Sequence, residues 1–92
     1  MLEIGKMPEI SRFFGIVIAM FYRDHAPAHF HAKYGGQRAA FAIPDLRIIE
    51  GSLLRRALSL VLEWAFLHRD ELMENWNRAE RREELLKINP LD

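Results

Sequence analysis

One short segment of the sequence combines residue types that bind metals and catalyse reactions. It runs from residue 24 to residue 31 and contains Asp24, His25, His29 and His31. Imidazole nitrogens and carboxylate oxygens are ligands that zinc, iron, nickel and manganese accept from proteins. The segment therefore predicts a site for one of these divalent transition metals, with open positions for water or substrate.

The same region also suits chemistry without a metal. The unperturbed pKa of histidine is about 6.5, so an imidazole transfers protons near neutral pH. Small ribonucleases of the toxin type use histidine, lysine and arginine on an exposed sheet. By this interpretation the catalytic set is His29, His31, Lys33 and Arg38.

Purely structural explanations remain open. The histidines are also what the solvent side of a half-buried hairpin would carry, with Asp24 and Pro27 shaping the preceding turn. Alternatively, they cap backbone groups or pack against the C-terminal tail. His68 lies in an apolar helical stripe, and we interpret it as a partly buried, hydrogen-bonded core histidine.

The elements that must position the histidines follow from the local pattern. Residues 29–34 alternate in character, which is typical of a strand with two different faces. One face carries His29, His31 and Lys33, whereas the apolar face is the core side. Gly35-Gly36 predicts a tight hairpin turn, because glycine reaches positive φ without strain.

This hairpin predicts the cross-strand neighbours of each residue. The expected pairs are Lys33 with Arg38, His31 with Ala40, His29 with Ala42, Phe30 with Phe41, and Ala32 with Ala39. The small side chains of Ala40 and Ala42 should leave a shallow space above the histidines. Lys33 and Arg38 would lie at one end of it as contacts for an anion.

The remaining pattern predicts an α+β domain. Residues 13–22 are apolar on both alternating faces, which predicts one central strand, and residues 46–50 predict a short strand. Ser52 is a suitable N-cap for one long helix from Leu53 to about Ala79, with an apolar stripe along one side. We expect a small antiparallel sheet of three to five strands, a meander with the Gly-Gly hairpin, packed against this single C-terminal helix. Residues 85–88 then predict a final docking strand.

Length and composition favour one small domain. The chain has 92 residues, of which 50% are hydrophobic, so we expect a single domain over residues 7–92. Residues 1–6 precede Met7, a second plausible start, and we expect them to be a disordered extension. A core this small leaves little stability to spare, so pairing with a second copy or a small partner protein would be unsurprising.

Net charge, the absence of cysteine and the short apolar runs argue against several classes of protein. The 13 basic and 13 acidic residues cancel, so net charge gives nucleic-acid binding no support. The absence of cysteine removes disulfides and thiolate sites and suits the cytoplasm, where we expect the protein. The longest apolar run, residues 13–21, is about half a membrane-spanning helix, and no membrane association is expected.

The combination of motifs resembles an uncharacterised bacterial family, domain of unknown function 4160. The motifs that carry the resemblance are Met7-Pro8-Glu9-Ile10-Ser11-Arg12-Phe13, Asp24-His25-Ala26-Pro27-Ala28-His29-Phe30-His31-Ala32, Tyr34-Gly35-Gly36, Leu62-Glu63-Trp64, His68-Arg69-Asp70-Glu71-Leu72 and Asn75-Trp76. The resemblance implies a partner encoded beside the protein, in an arrangement like a toxin–antitoxin pair. It implies no established activity.

Two hypotheses follow for the function. The first is a protein-pairing module, one member of a toxin–antitoxin-like pair, which binds through a sheet edge, a helix end or the histidine face. The second is an enzyme, either a metal-dependent hydrolase or a metal-free ribonuclease, that uses His25, His29 and His31.

Overall fold

A computed structural model describes residues 8–92, which form an antiparallel five-stranded sheet and two helices. The strands follow one another in space as they do in sequence. They are β1 (Glu9–Phe13), β2 (Ile16–Ala19), β3 (His29–Tyr34), β4 (Gln37–Ala42) and β5 (Ile48–Gly51). The helices are α1 (Arg55–Leu67) and α2 (Arg69–Glu80). The α+β class and the meander are confirmed, while the expected extension and the alternative start at Met7 lie outside the described residues.

The hairpin between β3 and β4 has the predicted register. His29 lies opposite Ala42, His31 opposite Ala40, and Lys33 opposite Arg38. Gly35 has a φ of 58°, as the tight turn requires. The two histidines and Lys33 therefore leave the same face of the sheet.

The prediction of one strand over residues 13–22 was wrong. Phe13 ends β1, Phe14 and Gly15 form a turn with φ values of 49° and 80°, and β2 begins at Ile16. The aromatic residue in the turn concealed it, because Phe14 continues the apolar run although its side chain is exposed. This hairpin adds an outer strand, β1, beyond the expected central one.

The single long helix was also wrong, since the helical region divides at His68. The backbone there has φ −120° and ψ 25°, and the His68 N–H donates to the carbonyls of Trp64 and Ala65. No glycine or proline marks the break. The predicted N-cap at Ser52 is replaced by Leu54, whose backbone N–H donates to the side-chain oxygen of Gln37 at 2.7 Å.

The core lies between the helices and one face of the sheet. Trp64 of α1 is fully buried against Phe13 of β1 and Phe30 of β3, with ring centroids 5.3 and 6.1 Å away. The opposite face is open to solvent around Lys33 and Arg38. At the start of β3, on the same face, His29 is buried and its ring lies near Trp76 of α2. This is the face on which the sequence predicted chemistry.

The C-terminal segment closes one side of the core without forming a strand. The side chain of Asn75 both donates to and accepts from the backbone of Leu86, at 2.8 Å each. Ile88 then donates its backbone N–H to the carbonyl of Ile10 in β1. Among residues 8–92, no helix has the length and apolar content needed to cross a lipid bilayer.

Candidate metal centre

The candidate site forms where the connection between β2 and β3 folds back over the first residues of β3. The period-two alternation of β3 places the rings of His29 and His31 on one face, 5.1 Å apart between centroids. Asp24, in the connection, is oriented by a hydrogen bond from the backbone N–H of His25 to its Oδ1 at 2.8 Å. Its other oxygen, Oδ2, is left to face the histidines.

Three ligand-type atoms converge at this point. The Oδ2 atom of Asp24 lies 2.9 Å from Nε2 of His29 and 3.5 Å from Nε2 of His31. A carboxylate oxygen and two imidazole nitrogens, one from each residue, all lie within 4.8 Å of one another. The structure thus brings together Asp24, His29 and His31 from the sequence-predicted ligand set.

The hydrogen bonds of His29 define where its protons must be. Its Nδ1 lies 2.7 Å from the carbonyl oxygen of Pro27, which can only accept, so Nδ1 carries a proton. In a neutral ring Nε2 then carries a lone pair and no proton, and it faces a carboxylate oxygen at 2.9 Å. Two acceptors at this distance repel each other. The edge between His29 and Asp24 therefore requires either a second proton on the ring or a metal ion.

His31 supplies a second unusual atom. Its Nε2 is buried and has no hydrogen-bond partner, although it lies on the side of the ring that faces Asp24. Burial lowers the pKa of His31, and the opposing effect of the Asp24 carboxylate does not restore it. The neutral ring is favoured, and a neutral imidazole is the form that ligates metals.

Asp24 is ionised at neutral pH. Its partial burial alone would raise the pKa of the carboxyl group, but the hydrogen bond from the His25 N–H and the adjacent His29 and His31 outweigh this effect and lower it. The cluster therefore offers an anionic oxygen beside a neutral nitrogen of His31. This combination suits a divalent cation.

His25 is not brought into the group of three. Its side chain is 78% exposed, and Nε2 lies 3.6 Å from Oδ1 of Asp24, the oxygen turned away from His29. The ring stacks on that of His29 with centroids 5.2 Å apart. His25 thus lies at the solvent edge of the cluster, beside it rather than within it.

The predicted catalytic set divides between two environments. His31, Lys33 and Arg38 line an open depression of about 390 Å³ on the solvent-exposed part of the sheet face. His29 does not line it, because its side chain is only 2% exposed and its ring packs 5.3 Å from that of Trp76 in α2.

Sequence reasoning missed several residues that line the same depression. These are Glu9, Arg12, Phe21 and Glu50. Glu50 reaches the site because β5 pairs with β4, placing it opposite Ala40, and the only sequence signal was its position on a short predicted strand. Phe21 packs edge-on against His31 at 4.9 Å, in a segment expected to be an ordinary strand.

His68 lies outside the cluster and fits its structural interpretation. Its Nδ1 is hydrogen-bonded to a carboxylate oxygen of Glu71, and its ring packs 5.4 Å from that of Trp64. The side chain is partly buried. It fills a place between the two helices.

The sequence model of one protein family, described as a domain of unknown function (DUF4160), matches residues 15–77. The chain belongs to this family. The match confirms the resemblance seen in the sequence, and the matched span of this DUF4160 member includes Asp24, His29, His31, Lys33 and Arg38. No match to the chain was found among curated proteins or solved structures.

Proposed function

We propose that the protein binds one divalent transition metal ion through Asp24, His29 and His31 and that its activity depends on this ion. The observation that carries the proposal is the convergence of one carboxylate oxygen and two imidazole nitrogens within 4.8 Å. Two histidines and a carboxylate are a ligand set that zinc, iron, nickel and manganese accept.

The distances support a shared ion. Ligand atoms about 2.0–2.2 Å from one metal lie roughly 3–3.5 Å from each other in tetrahedral or octahedral geometry. The two separations from Asp24 Oδ2, 2.9 and 3.5 Å, fall at these values. The two imidazole nitrogens lie within 4.8 Å of each other, so the rings would turn towards each other to share one ion.

The contacts behind the ligands support the same interpretation. Metal-ligating histidines commonly donate their other ring N–H to a carbonyl or a carboxylate, which fixes the tautomer and the ring orientation. The bond from His29 Nδ1 to the Pro27 carbonyl has this form. A buried ion pair between protonated His29 and Asp24 would explain that edge but would leave Nε2 of His31 with only a 3.5 Å contact to Asp24 Oδ2. A metal accounts for both atoms.

Three protein ligands leave coordination positions for water or substrate, as in hydrolytic metal sites. A metal in such a site supplies a hydroxide nucleophile near neutral pH. The exposed ring of His25 would lie at the solvent edge of such a site, outside the group of three ligands. The metal-free ribonuclease has less support, because the buried His29 would be unable to touch a substrate.

The proposal is tested by metal analysis of untagged protein after equilibration with each of zinc, manganese, nickel and iron(II). We expect about one equivalent of one of these metals in the wild-type chain. His29→Asn keeps a donor for the Pro27 carbonyl but removes Nε2, and Asp24→Asn keeps the shape but removes the charge. Both variants should lose the metal.

His68→Gln is the matched control, since it removes a partly buried histidine outside the cluster and should retain the metal. Circular dichroism verifies that each variant is folded. A folded wild-type chain that takes up none of the four metals would overturn the proposal. Equal retention of metal in the His29 and Asp24 variants would also overturn it.

A second candidate function, a protein-pairing module, is favoured by a separate feature of α1. Apolar side chains recur every four residues along one flank: Leu54, which precedes the helix, Leu58, Leu62 and Phe66. Leu58 and Leu62 are partly buried against the core. Leu54 and Phe66 are 59% and 66% exposed. We propose this Leu54–Phe66 stripe as the contact for a second copy or a small partner protein, such as the other member of a toxin–antitoxin-like pair.

A further inference from the structure

A second binding feature lies on the open part of the sheet face, next to the candidate metal centre. It is the depression of about 390 Å³, a volume within the range of small-molecule sites. In one cross-strand row, Ala19 and Ala40 flank His31 on either side. The apolar floor of the depression is lined by Val17, Ala19 and Phe21, whereas the side chain of Ala40 is buried. The long side chains of the neighbouring row lie beside this floor.

That neighbouring row contains two cations in direct opposition. Lys33 of β3 pairs with Arg38 of β4, and like charges at directly opposed positions destabilise a sheet. In residues 8–92 neither side chain has a carboxylate within 4.0 Å, whereas Arg12, on the same face, is paired with Glu9 at 2.7 Å. The repulsion between Lys33 and Arg38 would be relieved by an anion bound between them.

We propose that this depression binds a small phosphate monoester, with the phosphate group on Lys33 and Arg38 and the remainder of the molecule over the apolar floor towards His31 and Phe21. A phosphate dianion matches two adjacent cations, and the arginine guanidinium offers a pair of N–H donors to its oxygens. The monoester can be the substrate of the metal centre only if that centre binds its ion, so this part of the inference rests on the proposed function. His31 is the residue common to both sites.

The charges at the rim favour a compact ligand over a nucleic-acid strand. Glu9 and Glu50 lie at opposite ends of the His31 row, on β1 and β5, and both line the depression. They would repel the next phosphates of a polymer on either side. The overall balance of 13 basic and 13 acidic residues supplies no compensating attraction.

The binding test uses isothermal titration of the full chain with inorganic phosphate, phenyl phosphate and a short single-stranded RNA. We expect phenyl phosphate to bind more tightly than inorganic phosphate, because its ring covers the apolar floor, and the RNA to bind most weakly. Lys33→Ala and Arg38→Ala should each weaken phenyl phosphate binding about tenfold, the usual effect of losing one charge-assisted hydrogen bond.

Arg56→Ala is the matched control, because it removes an exposed arginine from α1 and should leave affinity unchanged. No binding of either phosphate at millimolar concentration, or equal affinity in the Lys33, Arg38 and Arg56 variants, would overturn the inference. RNA binding tighter than phenyl phosphate would replace the monoester by a polymer and overturn it as well.

The two proposals can fail separately. The Lys33 and Arg38 variants should keep the metal, while His29→Asn should lose the metal and keep affinity for phosphate at Lys33 and Arg38. If the protein binds phosphate but takes up no metal, only the proposal of a metal centre would be refuted. If the protein takes up metal but does not bind phosphate, only the proposal of a phosphate site in the depression would be refuted.

Discussion

At the scale of single residues, the site is defined by the hydrogen-bonding requirements of two imidazoles. The Pro27 carbonyl fixes the proton of His29 on Nδ1 and turns Nε2 towards Asp24. His31 presents a buried Nε2 to the same carboxylate without a hydrogen bond. Buried polar atoms are rarely left without partners in folded proteins, so each such atom calls for an explanation. A cation between the three side chains supplies one.

The lowered pKa of His31 predicts how the metal-free protein responds to pH. The unfolded chain protonates this residue near its ordinary value of 6.5, whereas burial delays protonation in the folded chain. Below pH 6.5 the unfolded state therefore binds more protons, and the free energy of unfolding falls as the pH falls, by at most about 1.4 kcal/mol per pH unit for one group. Urea denaturation with a chelator present, between pH 7.5 and 5.5, measures this decrease.

His31→Gln should show a smaller decrease over the same pH range, because glutamine does not titrate. Asp24 does not interfere in this window. Its pKa is lowered, so its contribution is present above the ordinary value of 3.8 and is lost only below it. Identical slopes for wild-type protein and His31→Gln would contradict the assignment of His31 as a buried, neutral imidazole.

At the scale of elements, the sequence predicted the part of the site that lies within one hairpin. Strand alternation and Gly35-Gly36 were enough to place His29 and His31 on one face and Lys33 opposite Arg38, and the register confirmed this. These are local relations, set by a period of two and a short turn.

The rest of the site depended on relations that are not local. Asp24 reaches the histidines through the path of an irregular connection. Arg12 and Glu50 arrive on β1 and β5, whose pairings both contain a register irregularity that no simple alternation predicts. The division of the helix at His68 was also missed, because neither glycine nor proline marks it. Tertiary packing decides such features.

The exposed residues of the stripe on α1, Leu54 and Phe66, lead to a prediction about partners. If the Leu54–Phe66 stripe is an interface, a stable complex should appear in light scattering at increasing protein concentration or on co-expression with the product of an adjacent gene. Phe66→Glu should then dissociate it, because a charged carboxylate would replace the apolar contact surface and would have to lose its hydration. Leu86→Glu, at another exposed apolar position, is the control and should leave the complex intact. A chain that stays monomeric in both experiments contradicts the pairing function.

At the scale of the whole molecule, most residues that stabilise the fold and the candidate functional residues lie on different faces of the sheet. The helices and the C-terminal segment pack on one face of the sheet and supply the core around Trp64. The other face is open around the depression lined by Lys33 and Arg38, and the cluster of Asp24, His29 and His31 lies beside this open part. His29 joins the two sides, because its buried ring also packs near Trp76 of α2.

This arrangement should make the metal a contributor to global stability. Asp24 belongs to a connection that the ion would tie to β3, and any ligand that binds only the folded state stabilises it. Because an ion bound anywhere on the folded chain would raise thermal stability, its position has to be measured directly.

The most direct measurement is anomalous X-ray diffraction from crystals of the metal-loaded protein, collected on both sides of the absorption edge of the bound metal. We expect one strong peak about 2.0–2.2 Å from Asp24 Oδ2, His29 Nε2 and His31 Nε2. An anomalous map without a peak between these three side chains, in a crystal whose protein contains the metal, would contradict the proposed metal centre.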